Sequence, residues 1–193
     1  SIRQWSTQWK TFVDSSEGQS ALQSWKASVE KTAPSLRHPD LVGDLSTPFS
    51  KVHTLKAKLP AAATKALLTQ VCASFRAQIN DVLLACLAAA FCKVSGNDSF
   101  SFTLEGHGRE SPSESAALDV SRTVGWFTSV FPVTLDVSSL DSEPQMLTES
   151  VKRAKESLRA LPHKGASYGF LRYHHMIKAE GSHLFSSEHH VHE

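Results

Sequence analysis

Cysteine is scarce in this 193-residue chain, and Cys72, Cys86 and Cys92 form an odd set without paired metal-ligand spacing. That pattern gives no sign of a disulfide framework; the expected state is reduced core thiols in a cytoplasmic protein, with no metal site. An excess of either charge is also missing. The formal balance is +1, which gives no electrostatic reason to expect nucleic acid or an anionic membrane as a partner. The longest apolar run, Val82 to Phe91, is too short to cross a bilayer. The first residues, Ser1-Ile-Arg-Gln-Trp5, carry no charged-then-apolar leader, so nothing points to secretion. No glycine-rich phosphate loop follows a strand, which argues against nucleotide binding, and no internal repeat is present.

What remains is the composition of a globular domain, 40% hydrophobic and 20% charged, which is enough apolar material for a core. Trp5, Trp9, Phe12 and Val13 follow one helical stripe and Leu22, Trp25 and Val29 a second, with a break near Asp14-Ser-Ser-Glu-Gly18. Thr32 to Ser50, with Pro34, Pro39 and Pro48, reads as a long surface connection. Leu55, Ala57 and Leu59 alternate with lysines in the two-residue period of a half-buried strand.

Pro60 then opens a helix with Leu67, Leu68, Val71 and Phe75 on one face. A second helix starts at Asn80 as N-cap, with Ile79 and Leu84 spaced as a hydrophobic staple. It is apolar nearly all round, so it is expected to lie deep. Phe100, Phe102 and Leu104 alternate with Ser101, Thr103 and Glu105 in one strand, and Phe131, Val133, Leu135 and Val137 mark another. A capping box at Ser142-Glu-Pro-Gln145 begins a helix that Pro162 stops, and Ser167 to Met176 forms a last short helix. The irregular alternation predicts an α/β fold, a mixed two-layer sandwich rather than a doubly wound sheet.

Among chemistry-bearing residues, Glu105 stands out. It closes the polar side of its strand just before Gly106 and Gly108, where glycines permit close approach of another group. A carboxylate so placed can act as general base or acid if burial lifts its pKa. On strand position alone, an exposed strand-end glutamate is the plainer reading.

The surrounding residues change the balance. Phe102-Thr-Leu-Glu-Gly-His-Gly-Arg-Glu110 and Asp119-Val-Ser-Arg-Thr-Val-Gly-Trp-Phe-Thr-Ser-Val-Phe-Pro132 closely resemble two consecutive signatures of the epimerization domains of non-ribosomal peptide synthetases. Leu161-Pro-His-Lys-Gly-Ala-Ser-Tyr-Gly-Phe-Leu-Arg-Tyr173 is similar to the family's Pro-Asn-Lys-Gly-x-Gly-Tyr-Gly segment, departing from it at His163 and Ser167. The resemblance covers nearly the whole chain. Condensation domains, which form peptide bonds, share the fold but usually lack the Glu-Gly-His-Gly-Arg-Glu run.

The resemblance implies that residues 1–193 are the C-terminal portion of such a domain, with 1–50 a helical entry and connector and 51–193 an α/β subdomain. The fold would resemble one half of the chloramphenicol acetyltransferase-like pseudo-dimer, with catalysis in a tunnel between halves. The family's His-His-x-x-x-Asp motif belongs to the N-terminal half; His174-His175 and His189-His190 do not fit it. Its later Phe-Asn-Tyr segment has no match here, and Tyr168 is not assigned that role.

The implied function is epimerase activity, inverting the Cα of an aminoacyl or peptidyl thioester. No cofactor is bound directly. The substrate hangs on the phosphopantetheine arm of a peptidyl carrier protein, which is a partner together with the N-terminal half of the same domain and neighbouring synthetase domains. Glu105 is then the catalytic residue on one face, and this portion alone is expected to be inactive. His107 either lines the tunnel or hydrogen-bonds within its turn. Trp126 lies near the tunnel as core or gate, and Thr128 and Ser129 are further lining candidates. Arg109 would fix its loop by pairing with Glu110 or Asp119, and Arg122 would be a buried salt-bridge partner bracing the Trp126 segment. Condensation-type acyl transfer and a non-catalytic carrier-docking platform are the alternatives.

Overall fold

The computed structural model describes residues 1–31, 53–113, 117–137 and 143–178. The connector expected from Thr32 to Ser50, the Ser142 cap and the tail with His189-His190 lie outside them. The chain divides into two compact units. One comprises Ser1–Ala33, Ser101–Thr134 and Leu158–Glu193, the other Pro34–Phe100 and Leu135–Ser157.

The first unit opens with α1 (Ile2–Val13) and α2 (Ser16–Glu30), broken where the sequence predicts. Ser15 makes the break: its hydroxyl donates to the Phe12 carbonyl at 2.6 Å and accepts from the Gly18 N–H at 3.1 Å. Only glycine fits at Gly18, because a Cβ there would overlap the Phe12 carbonyl oxygen.

After a 3₁₀ turn (Pro162–Gly165) comes α6 (Ala166–Lys178), which packs with α1 and α2. The core of this unit is aromatic. Trp9 stacks flat on Phe170 at 4.8 Å, and Trp25 meets the edge of Tyr168 at 5.0 Å. Burying one such ring removes roughly 200 Å² from water, worth up to about 5 kcal/mol before side-chain entropy is subtracted.

The two departures in the 163–167 segment have local explanations. His163 and Lys164 both sit at φ 50°, in the left-handed region where side chains are uncommon, and Gly165 follows at φ 94°. The His163 ring recovers part of that cost by edge contacts to Phe12 at 4.7 Å and Trp9 at 5.4 Å. Ser167 is fully buried, and its hydroxyl accepts from the Trp25 indole N–H at 3.0 Å while donating to the Pro162 carbonyl at 3.1 Å.

β1 (Ser99–Gly106) and β2 (Ser129–Asp136) pair with each other. The Val137 N–H donates to the Asp98 carbonyl at 2.8 Å, and the Ser101 and Thr134 hydroxyls share a hydrogen bond at 2.9 Å. In both pairs the two residue numbers have the same sum, which is the signature of antiparallel register. The register sets Thr103 opposite Pro132 and Glu105 opposite Val130, in non-hydrogen-bonded pairs. Pro132 therefore loses no ladder bond to β1 by lacking an N–H. Phe131, Val133 and Leu135 are buried, as their alternation predicts.

In the second unit, α3 (Ala61–Phe75) and α4 (Ile79–Ser95) meet at a bend of 95° around Arg76, which takes a left-handed φ of 47°. The middle of α3, Leu67–Val71, is π-helical, and none of its apolar face is fully buried; Leu68 is exposed. The cap of α4 is Gln78 rather than Asn80. Asp81 accepts the Gln78 N–H at 2.8 Å, so the carboxylate sits three residues past the cap and the expected staple is out of register.

α4 is less buried than its composition predicts. Val82, Ala85, Ala88, Ala89 and Cys92 form a buried stripe, whereas Leu83, Leu87 and Val94 are exposed. Cys86 is likewise exposed, and only Cys92 is a core thiol. Ser150, Val151 and Ala154 of α5 (Glu143–Ala160) are buried, and Lys155 Nζ donates to the Phe75 carbonyl at 2.9 Å. The strand expected at Leu55–Leu59 does not form: the segment has no regular secondary structure, and Leu55 is 98% exposed. Alternation alone makes no strand without a neighbour to complete the ladder, and none pairs with this segment among the described residues. No single helix among the described residues is long and apolar enough to cross a membrane.

Candidate functional site

A cleft of about 1210 Å³ opens within the first unit. Consecutive residues Trp126 to Pro132 line it, so both faces of β2 contribute, whereas β1 contributes one face, Thr103 and Glu105. From α1 come Trp5, Lys10 and Val13, and from α6 Ala166, Tyr168 to Phe170 and Arg172 to His174.

Glu105 lies where strand parity puts it, exposed beside Thr103 and on the opposite side of the pleat from Leu104. Gly106 follows because its neighbour across the pair leaves little room: a Cβ there would come within 3.0 Å of Ser129 Oγ and 3.2 Å of the Phe131 ring. Gly108, at φ 64°, abuts the Phe127 carbonyl so closely that a Cβ would overlap it. The glycines thus bring the chain after β1 against the segment that enters β2.

Of the residues predicted to line the site, Trp126, Thr128 and Ser129 are on the cleft wall. Trp126 is 86% exposed, so it is a rim residue and not part of the core. Ser129 Oγ is buried without a hydrogen-bond partner among the described residues. His107 is not on the wall. Its Nδ1 accepts from the Arg109 N–H at 3.1 Å, and its Nε2 lies 3.3 Å from the Glu110 carboxylate.

Arg109 does brace its loop, but through backbone carbonyls instead of the expected acidic partners. Its guanidinium donates to the Val120 and Thr123 carbonyls, the latter at 3.1 Å, and lies 4.1 Å over the Phe127 ring. Arg122 is exposed rather than buried. It occupies the turn at 121–122, where the Asp119 carboxylate accepts the Ser121 N–H at 2.9 Å and the side chain of the next residue points outward. Hydrogen bonding from the Ser121 hydroxyl, and then from its backbone N–H, holds the Asp119 carboxyl below its usual pKa.

Sequence reasoning missed the wall built by α1 and α6. Lys10, Arg172 and His174 bring positive or protonatable groups to it, with His174 Nε2 3.2 Å from Asp14. Burial pushes the Tyr168 phenol up, with the Arg172 guanidinium pulling the other way. The phenol stays protonated and can donate a hydrogen bond. The helical spacing of Ala166, Gly169, Phe170 and Tyr173 was the available signal.

The condensation-domain family matches residues 2–191. Among curated proteins, the chain is 41% identical over 181 residues to a linear gramicidin synthase of Brevibacillus parabrevis, covering 91% of the chain and 3% of that protein. It is also 41% identical over 130 residues to a plipastatin synthase of Bacillus subtilis (strain 168), covering 66% and 5%. Among solved structures, the epimerization domain from the third module of tyrocidine synthetase B superposes with a TM-score of 0.65 at 30% identity, covering 89% of this chain and 37% of that one. The first condensation domain of the CDA synthetase gives a TM-score of 0.60 at 15% identity, covering 86% and 32%, a likeness of fold alone. These neighbours bear out the α/β class and the half-pseudo-dimer architecture expected from the sequence. The chain spans a small fraction of the synthases and little more than a third of the epimerization domain. With the match running nearly end to end, the chain belongs to the condensation-domain family of peptide synthetases.

Proposed function

We propose that this chain is the C-terminal portion of an epimerization domain, inverting the Cα of an aminoacyl or peptidyl thioester carried on the phosphopantetheine arm of a carrier protein. The observation that carries this reading is Glu105, a carboxylate on the wall of a large cleft, inside the hexapeptide that sets epimerization domains apart. A thioester acidifies its α-proton. Glu105 removes or returns that proton on one face, the electron pair passing to the thioester oxygen as an enolate. A second group on the opposite face, from the N-terminal half of the domain, completes the inversion. The greater identity to the tyrocidine synthetase epimerization domain than to the CDA condensation domain favours this reading over peptide-bond formation.

The test uses the complete domain with a loaded carrier protein in deuterated buffer. Deuterium incorporation at Cα with a mixed D/L product supports epimerization, whereas peptide product without exchange assigns acyl transfer. Carrier binding with neither product assigns a docking role. In Glu105→Gln, incorporation should fall by roughly 100- to 10,000-fold, the usual scale of acid–base placement, with carrier binding retained.

A further inference from the structure

We propose that Arg109 is the positioning residue of the cleft, setting the Trp126–Ser129 wall opposite Glu105 through Phe127. Three contacts converge on it. Its planar fork holds the Val120 and Thr123 carbonyls, the two ends of a turn that the Thr123 N–H closes onto Val120 at 3.0 Å. Its guanidinium face covers Phe127. Phe127 is 5% exposed and has Trp5 edge-on at 4.9 Å, and the Trp5 indole N–H returns to the Glu110 carbonyl at 3.3 Å. The loop after Glu105 and the segment entering β2 are thereby locked to each other, with Gly108 against the Phe127 carbonyl. The exposed neighbours Trp126 and Thr128 have little packing of their own to fix them.

Lysine cannot reproduce this arrangement, because a single ammonium neither spans two carbonyls as a fork nor stacks flat on a ring. The catalytic consequence rests on the epimerase reading; the positioning of the wall does not.

Hydrogen–deuterium exchange on the chain itself separates the two. In Arg109→Lys, amides in 119–128 should exchange about tenfold faster or more, as expected when charge-assisted hydrogen bonds are lost, while those of α2 are unchanged. In the complete domain the same variant should lower kcat for α-proton exchange at least tenfold with less change in KM for the loaded carrier. Unaltered protection at 119–128 overturns the proposal, as does an equal rise in α2, which would make Arg109 a general stabiliser. Local opening with undiminished turnover overturns it too. A wild-type domain that exchanges no α-proton sinks the epimerase reading and leaves the amide result to decide the positioning. Arg109→Met, which keeps an unbranched apolar stem without the charge, should match lysine in both measurements; a methionine variant that retains wild-type protection also overturns the assignment.

Discussion

Trp25 and Ser167, 142 residues apart in sequence, are joined by a 3.0 Å hydrogen bond in the core of the first unit. The serine hydroxyl is fully used, since it also donates to the Pro162 carbonyl. Trp9, by contrast, has a buried indole N–H without a partner among the described residues. Trp25→Phe should therefore cost about 1 kcal/mol more than Trp9→Phe, and Ser167→Ala about 1–3 kcal/mol, because it leaves two groups unpaired. Urea denaturation of the three variants checks the order.

Gly165 is held at φ 94° with the Phe131 ring standing where a Cβ would go. Gly165→Ala combines a strained backbone with overpacking and should destabilise by roughly 2–4 kcal/mol. A variant of near wild-type stability would mean that the 3₁₀ turn does not seat on β2 as described.

Burial holds His163 below its ordinary value of 6.5, against the opposing pull of the Pro112 carbonyl and Glu17. The folded chain thus binds a proton there less readily than the unfolded chain. The stability associated with the neutral ring is present above about pH 6.5 and is lost as the pH falls from there toward the folded-state pKa. His163→Asn should flatten this part of the stability profile, measured as denaturation midpoints between pH 7 and 5 relative to wild type.

Trp126 tests the cleft without testing the fold. At 86% exposure it contributes little to the core, so Trp126→Ala should stay within about 0.5 kcal/mol of wild-type stability. In the complete domain it should raise KM for the loaded carrier. Unchanged kinetics would place the rim away from the substrate path.

What the sequence revealed was local. The α1–α2 break was legible because Ser15 and Gly18 act within a single turn, and the face of Glu105 followed from strand parity. Which arginine braces the loop was not legible. Arg109 and Arg122 are equally plausible on paper, and the choice depends on two backbone carbonyls brought round by a turn. Trp126 misled for the same reason: a large aromatic residue reads as core unless the path of the loop is known. The burial of α4 was overstated because composition shows that a helix can be covered on every side, not that a neighbour covers it. The α1 and α6 side of the cleft needed three-dimensional packing to appear, since Lys10 and Arg172 share no local pattern with Glu105.

Pro132 has an effect beyond the register. In its non-hydrogen-bonded position, its ring nitrogen faces the margin of β2 turned away from β1, where an incoming strand would look for a donor and find none. Two copies of this chain brought side by side along that margin would have a gap in the middle of the shared ladder. Pro132→Val would restore a donor at that point of the margin.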